Sequence, residues 1–210
     1  MFDILLKHNN LLCLSYIIFM IIHIAGTSGS GKSTIGFKLY KKFKNKVTVY
    51  DLDLVLTQYI IDNKIKIIKG ETYERINKNK YQKYIDSLLI NKKKHIILVG
   101  YNNIQIKKNT YDIFNVYPDH KFYIKIDDEQ IIKQKCQRLI NIVSKEISTN
   151  LINNNKNIIE YMINNFEKSC DLALVKTIIK NDDNYYKKLK YKFMTPEKLY
   201  NKVVTLLKCI

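Results

Sequence analysis

The feature that most constrains this chain is a glycine-rich segment, GTSGSGKST, at residues 26–34. An apolar run, Ile21 to Ala25, leads into it, and a segment with apolar residues at i, i+4 and i+8 follows it. The apolar run predicts a buried strand, and the spacing predicts a helix over residues 32–44. Four of the six glycines in the chain lie between residues 26 and 36. A strand, a glycine loop and a helix in this order indicate an α/β fold.

The same segment fits the pattern G-x-x-x-x-G-K-[ST], a phosphate-binding loop. In such a loop, backbone N–H groups converge on phosphate oxygens, and the helix points the positive end of its dipole at them. We therefore expect ATP, with Lys32 reaching the β and γ phosphates, Ser33 offering its hydroxyl to Mg²⁺, and Thr34 binding nearer the ribose. The expected nucleotide-binding residues are Gly26, Thr27, Ser28, Gly29, Ser30, Gly31, Lys32, Ser33 and Thr34. A glycine–serine turn that precedes a helix and binds no ligand is the alternative.

Two carboxylates follow the next predicted strand. The segment VTVYDLD places Asp51 and Asp53 nineteen and twenty-one residues after Lys32. In a doubly wound sheet this strand end lies on the ligand side, near the glycine loop. Asp51 is then a candidate to hold Mg²⁺ through water, and Asp53 is a candidate to orient or deprotonate the hydroxyl that is phosphorylated. A solvated strand end with a turn-forming Asp is the alternative.

From about Met20 to its end, the chain resembles the shikimate and gluconate kinase branch of the P-loop small-molecule kinases, close to the nucleoside monophosphate kinases. That branch places a DxD-type pair at the end of its second strand. The segment HIILVGYNN resembles the family's third strand, KFYIKIDDEQIIKQKCQR its fourth strand and next helix, and YKFMTPEKLYNKVVTLL its closing strand and helix. The resemblance implies a three-layer P-loop NTPase fold around a parallel, doubly wound sheet of about five strands.

The resemblance also implies roles for three further residues. Gly100 corresponds to a glycine that admits substrate, and Arg138 to a phosphate-binding arginine on the helix after the fourth strand. Arg75 corresponds loosely to an arginine near the acceptor. Without the resemblance, Arg138 is equally well explained as a solvated helix arginine. The Asn-rich stretch at residues 150–157 occupies the place of a mobile lid, and a polar insertion without that role is the alternative.

Some positions depart from the family. Shikimate kinases carry a Gly-Gly-Gly turn where this chain has Gly100, Tyr101 and Asn102, so shikimate itself is not the expected acceptor. Nucleoside monophosphate kinases use several arginines, whereas Arg75 and Arg138 are the only two here. Either lysines replace the others, without the bidentate fork, or the acceptor is not a nucleotide.

Other nucleotide-binding classes fit less well. No NKxD motif and no DxxG switch motif is present, which argues against a GTPase. The strand HIILVG ends in glycine, where a standard Walker B strand ends in Asp. Asp127, after the apolar strand KFYIKI, is the alternative Walker B residue of an ATPase. The kinase interpretation is preferred because it accounts for both Asp51 and the helix that carries Arg138.

The net charge is +17, from 36 basic and 19 acidic residues. Such a charge favours polyanionic partners, but Lys accompanied by abundant Asn, Ile and Tyr is also the composition that an A/T-rich genome produces. The charge is the motive for one alternative function, a polynucleotide 5′-kinase or nucleic-acid-binding ATPase. The other alternative is a degenerate ATP-binding protein that transfers nothing, in which the missing arginines are real losses.

Apolar periodicity predicts the remaining elements. Strands are expected at residues 21–25, 47–51, 95–99, 121–126 and 190–194. Helices are expected at residues 32–44, 72–91, 128–147, 156–179 and 196–208, with a helix or loop at 54–62. This alternation predicts helices on both faces of a parallel sheet, in one domain at residues 20–210.

Residues 1–19 are treated as an N-terminal extension of uncertain status. The apolar run from Leu11 to Ala25 is short for a membrane span, and signal cleavage near Ala25 would destroy the glycine loop. The four cysteines and four histidines lack metal-ligand spacing. We therefore expect a cytoplasmic protein without a membrane partner, with reduced thiols and structural histidines.

These patterns together predict a Mg²⁺-requiring, ATP-dependent kinase acting on a small-molecule acceptor such as a nucleotide, a nucleoside or a sugar acid. Lys32 and Arg138 would neutralise the transferred group, Ser33 and Asp51 would hold the metal, and Asp53 would act on the acceptor. Arg75 and Gly100 are the further candidates for substrate binding.

Overall fold

The computed structural model describes residues 19–66, 76–90, 94–101, 103–106, 109–112, 117–152 and 171–209. The strands within these ranges are β1 Ile21–Gly26, β2 Val47–Asp51, β3 His95–Val99, β4 Asn103–Ile106, β5 Asn109–Asp112, β6 His120–Ile124 and β7 Lys192–Met194. The helices are α1 Lys32–Phe43, α2 Leu52–Asp62, α3 Lys78–Leu89, α4 Asp128–Ile152, α5 Leu172–Lys188 and α6 Pro196–Lys208.

Five of the strands form a wholly parallel sheet in the order β2-β3-β1-β6-β7. Strand β1 is central, with Ile22 opposite Ile97 of β3 on one side and opposite His120 of β6 on the other. The chain leaves β1 for β2 in one direction and later crosses to β6 in the other. The carboxyl end of β1 therefore lies between the carboxyl ends of β3 and β6, where open α/β sheets bind ligands.

Helices cover both faces of this sheet. On one face, α1 and α6 pack against alternate residues of β1, β3 and β6, in a cluster that includes Leu39, Val203 and Phe122. On the other face, α2 and α3 cover β3, with Tyr81 fully buried. The C-terminal half of α5 covers β1 and β6 there through Tyr186, which is also fully buried. The alternation of neighbouring strand residues between the two faces follows from the pleat of the strands.

The predictions of an α/β fold and of a five-stranded parallel sheet are confirmed. The predicted strands at residues 21–25, 47–51 and 95–99 are present, and the segment left open at 54–62 is helix α2. Helix α6 begins after Thr195, whose side chain accepts the N–H of Lys198 as an N-cap. His23 and His95 are buried and hydrogen-bonded to the backbone, as expected for structural histidines.

The sequence patterns missed two strands and misplaced the limits of three helices. Helix α3 begins at Lys78 rather than at 72, and helix α4 continues to Ile152 rather than ending at 147. Strands β4 and β5 form a separate antiparallel hairpin that the sequence patterns did not indicate. Helix α5 continues to Lys188, nine residues beyond the predicted end at 179. The beginning of that predicted helix, at residue 156, lies outside the described residues, as does most of the candidate lid at 150–157. Within the described ranges, no helix has the length and apolar character that crossing a bilayer requires.

Candidate functional site at the carboxyl end of β1

The loop between β1 and α1, residues 27–31, turns sharply at two glycines. Gly29 and Gly31 have φ values of 90° and 91°, a left-handed conformation that costs other residues energy. The N–H of Ser30 donates to the carbonyl of Thr27 at 2.9 Å and closes the turn. Gly31 is the N-cap of α1, which has no side-chain cap and no acidic residue in its first turn. The amides at this helix end are thus left for an external acceptor.

Lys32, the first residue of α1, is folded back beneath the loop. Its ammonium donates to the carbonyl of Gly26 at 2.6 Å and to that of Thr27 at 3.1 Å. Only 8% of the residue is exposed, and this burial lowers the pKa of Lys32 to about 8, although nearby carboxylates, Asp53 foremost, oppose the shift. A cation held in this way is prepared for an anion that replaces its lost hydration.

Ser33 and the two predicted aspartates meet at the start of α2. The Ser33 hydroxyl donates to Asp51 Oδ2 at 2.6 Å. Asp51 is also the N-cap of α2, because its Oδ1 accepts the N–H of Asp53 at 3.1 Å. The structure therefore brings together the residues that the sequence assigned to the metal and to the acceptor.

A cavity of about 270 Å³ opens in front of the loop. Its lining combines most of the predicted nucleotide-binding residues with Asp53 and Arg138, although Arg138 lies more than one hundred residues further along the chain. The lining residues are Ser28, Gly29, Gly31, Lys32, Ser33, Thr34, Asp53, Tyr101, Gln134 and Arg138. Gly26, Thr27 and Ser30 do not line the cavity, and the hydroxyl of Ser30 is buried without a hydrogen-bond partner among the residues that the structure describes.

Asp53 faces the cations of the cavity. Burial raises the pKa of the Asp53 carboxyl, and the nearby Lys32 ammonium and Arg138 guanidinium oppose that shift. A carboxylate with a raised pKa is better matched to accept a proton near neutrality than an ordinary one. The exposed Arg138 side chain reaches this cavity from α4.

Of the predicted substrate residues other than Asp53, the structure describes only Gly100. Gly100 does not line the cavity but packs on α2, since a Cβ at this position would lie 3.0 Å from Leu52 Cβ. Its φ of 129° also favours glycine, and its carbonyl is hydrogen-bonded to the His23 ring at 3.1 Å. Packing alone accounts for a glycine here. Arg75 lies outside the described residues.

The oxygen atoms near the loop include candidate ligands for a metal ion. Among the described residues there is no group of three or more His, Cys, Asp or Glu side chains arranged to hold an ion. The pair formed by the Ser33 hydroxyl and the Asp51 carboxylate offers hard oxygen donors, the kind that Mg²⁺ takes in small number while keeping most of its water. The chemistry of these two side chains is therefore compatible with magnesium binding.

Sequence reasoning missed the tyrosines that hold the loop from behind. The Tyr101 hydroxyl accepts the backbone N–H of Ser28 at 2.9 Å and donates to Asp182 Oδ2 at 2.8 Å. The Tyr123 hydroxyl is 2.9 Å from the Thr27 hydroxyl. An acidic pair, Asp182 and Asp183, in an otherwise basic helix was the available signal.

Comparison with known proteins adds no assignment. No family model matches the chain, and no curated protein matches it. Among solved structures, the chain is similar to an uncharacterized protein from Eubacterium ventriosum ATCC 27560, with 12% sequence identity and a TM-score of 0.45. That match covers 91% of this chain and 99% of the other.

Proposed function

We propose that this protein is an ATP-dependent, Mg²⁺-requiring kinase with a three-layer P-loop NTPase fold, which phosphorylates a small-molecule acceptor. The observation that carries the proposal is the convergence of Lys32, Ser33, Asp53 and Arg138 on one cavity, at the uncapped N-terminus of α1. A buried lysine and free helix amides favour a polyphosphate. A neighbouring carboxylate can accept the hydrogen bond, and then the proton, of a hydroxyl that is about to be phosphorylated.

The proposed roles follow the geometry. Loop amides and Lys32 bind the β and γ phosphates, and Arg138 reaches the transferred group across the cavity from α4. Ser33 and Asp51 hold Mg²⁺, which when bound neutralises charge on the phosphates. Asp53 accepts the proton of the acceptor hydroxyl, and the oxygen of that hydroxyl forms a bond to the γ phosphorus. The bond between the γ phosphorus and the oxygen that bridges it to the β phosphorus breaks, and ADP leaves.

Acceptor-dependent ADP release by the full chain tests the proposal. The panel contains nucleosides, nucleoside monophosphates, sugar acids and 5′-hydroxyl oligonucleotides, each with ATP and Mg²⁺. We expect release with one class of small molecule. ATP binding without release on any acceptor would instead indicate a degenerate nucleotide-binding protein.

Asp53→Asn tests the role given to the carboxylate. We expect kcat to fall about 10²-fold or more, the usual contribution of a general base, while the affinity for Mg·ATP changes little. Asp62→Asn is the matched control, because Asp62 is an exposed carboxylate on the same helix. A kcat for Asp53→Asn equal to that of Asp62→Asn would remove Asp53 from the chemistry.

A nucleic-acid substrate is the second candidate. It is favoured by the charge of +17 and by an open groove beside α6 that is lined by Lys125, Lys198 and Lys202. This function predicts oligonucleotide binding that weakens steeply with salt, because phosphate contacts release counterions. Turnover with 5′-hydroxyl oligonucleotides alone in the same panel would select it.

A further inference from the structure

Two tyrosines from the strands that flank β1 each bind one residue of the β1–α1 loop. Tyr123 belongs to β6 and contacts the Thr27 hydroxyl. Tyr101 comes two residues after the end of β3, and its hydroxyl accepts the N–H of Ser28. The Tyr101 contact uses the backbone of Ser28, so it is independent of the side chain at that position. The entrance of the loop is therefore held from both sides.

Tyr101 is itself fixed by Asp182. Its hydroxyl donates to the Asp182 carboxylate at 2.8 Å, and a hydrogen bond to an ionised acceptor is stronger than one between neutral groups. Asp182 is half-buried on α5, one helical turn before the fully buried Tyr186. The Tyr186 ring lies 5.1 Å from that of Tyr123 and 6.4 Å from that of Tyr101, between ring centroids. This packing holds α5, and with it the carboxylate, in place.

Tyr101 also contacts the cation of the site. The Lys32 ammonium lies 4.7 Å from the centroid of the Tyr101 ring, within the range of a cation–π interaction. Tyr101 lines the same cavity as Lys32 and Ser33. One side chain thus touches both the turn of the loop and the lysine that the loop carries.

We infer that Tyr101 and Asp182 are positioning residues that hold the β1–α1 loop and Lys32 in the arrangement that binds the triphosphate. The inference rests on the proposed function for the identity of the ligand. Asp182 acts as the acceptor that orients the Tyr101 hydroxyl, and its carboxylate also accepts a hydrogen bond from the Thr27 side chain of the loop. Neither residue takes part in the transfer itself.

Variants of Tyr101 and Asp182 separate the effect of hydrogen bonding on nucleotide affinity from that of charge. Tyr101→Phe keeps the ring beside Lys32 but removes the bond to Ser28. Asp182→Ala removes both the acceptor and the negative charge, whereas Asp182→Asn removes the charge and keeps an oxygen acceptor for Tyr101. If charge alone mattered, both Asp182 variants would bind a polyanion more tightly than the wild type.

The test is a fluorescence titration of the full chain with a methylanthraniloyl analogue of ATP in the presence of Mg²⁺. We expect Tyr101→Phe and Asp182→Ala to bind about tenfold more weakly than the wild type, the cost of losing one hydrogen bond. We expect Asp182→Asn to stay within about twofold of the wild type, since it restores the acceptor. Tyr117→Phe is the matched control, because it deletes a hydroxyl from a tyrosine that is 87% exposed.

Three results would overturn the inference. The first is a Tyr101→Phe affinity equal to that of Tyr117→Phe. The second is weakening of Asp182→Asn as large as that of Asp182→Ala, and the third is tighter binding by both Asp182 variants. If Tyr101→Phe fails to fold, by thermal melting, the comparison of the two Asp182 variants still decides. Absence of nucleotide binding by the wild type would contradict the proposed function itself, a result distinguishable from failure of the positioning pair alone.

Discussion

Lys32 is a cation whose burial has a measurable consequence for ligand binding. Because burial lowers the pKa of Lys32 to about 8, the free protein loses this charge as the pH rises above that value. Binding of a polyphosphate then requires uptake of a proton. We expect the affinity for Mg·ATP to be constant from pH 6.5 to 7.5 and to fall by up to about tenfold per pH unit above about pH 8.

Nucleotide titrations between pH 6.5 and 9.5 measure this effect. Lys32→Arg is the informative variant, because guanidinium stays charged over the whole range. Its affinity, although weakened by the larger side chain, should not decline above pH 8 as that of the wild type does. A wild-type affinity independent of pH up to 9.5 would show that Lys32 keeps its charge over this range, and would contradict the lowered pKa of the buried ammonium.

Whether a site residue could be predicted depended on how far along the sequence its partners lie. Lys32 and Ser33 were predicted because they lie in one contiguous motif, in which local spacing carries the chemistry. Tyr101 and Asp182 were missed because they lie 81 positions apart in the sequence. The local pattern around either residue does not predict a contact with the other. Gly100 was assigned to substrate by resemblance, whereas its contact with Leu52 accounts for it by packing.

At the scale of elements, α4 packs directly against the glycine loop. A Cβ at Gly29 would lie 3.2 Å from Lys135 Cγ and 3.5 Å from the Ile131 carbonyl oxygen, whereas a Cβ at Gly31 would have no described atom within 4 Å. Both glycines have a positive φ near 90°, so an Ala at either position has backbone strain of roughly 1–2 kcal/mol. The contact with α4 is the difference between them.

Gly29→Ala is therefore expected to lower the free energy of unfolding by about 1 kcal/mol more than Gly31→Ala, the cost of overpacking. Urea unfolding of the two variants and the wild type, monitored by circular dichroism, gives this difference. Equal losses of stability in the two variants would mean that α4 does not rest on the loop.

The errors in predicting elements have physical causes at this scale too. Helix α5 was expected to end at 179, and the next four residues, KNDD, have the polar composition typical of a loop. Asp182 and Asp183 are instead held by partners elsewhere, Tyr101 and Lys125. The β4–β5 hairpin was missed because each of its strands has only four residues and pairs outside the main sheet. Four residues are too few for an apolar pattern to predict a strand.

At the scale of the whole molecule, His23 connects three strands of the sheet. It belongs to β1, and its ring is hydrogen-bonded to the Gly100 carbonyl after β3 and to the Tyr191 hydroxyl before β7. Burial lowers the pKa of His23 to about 4, below its value of about 6.5 in an unfolded chain. Between these values the unfolded state binds more protons, so this residue makes the fold less stable as the pH falls from about 6.5 to 4.

We expect protonation linked to His23 to lower the free energy of unfolding by about 3 kcal/mol between pH 6.5 and 4. His23→Gln does not titrate and can keep hydrogen bonds of similar reach. The free energies of unfolding of wild type and variant, measured from pH 7 to 4, should therefore converge on acidification or cross. A difference that stays constant over this range would contradict a buried neutral His23.

The topology is the part of the account that sequence periodicity predicted best. Alternating apolar strands and amphipathic helices require a parallel sheet covered on both faces, and that arrangement places the ends of β1, β2, β3 and β6 together. The same arrangement explains why residues as distant as Ser33 and Arg138 share one cavity. The identity of the acceptor does not follow from periodicity, because it depends on side chains from several separate segments.

The most direct measurement of the central claim is to trace the γ-phosphoryl group of labelled ATP in the presence of Mg²⁺ and the acceptor panel. We predict that the full chain moves the label onto one class of small molecule. Lys32→Ala should lower this transfer about 10²- to 10³-fold, while Lys38→Ala, which removes an exposed lysine from the same helix, should leave it unchanged. Label that remains in ATP or appears only as inorganic phosphate, with every acceptor, would contradict the claim.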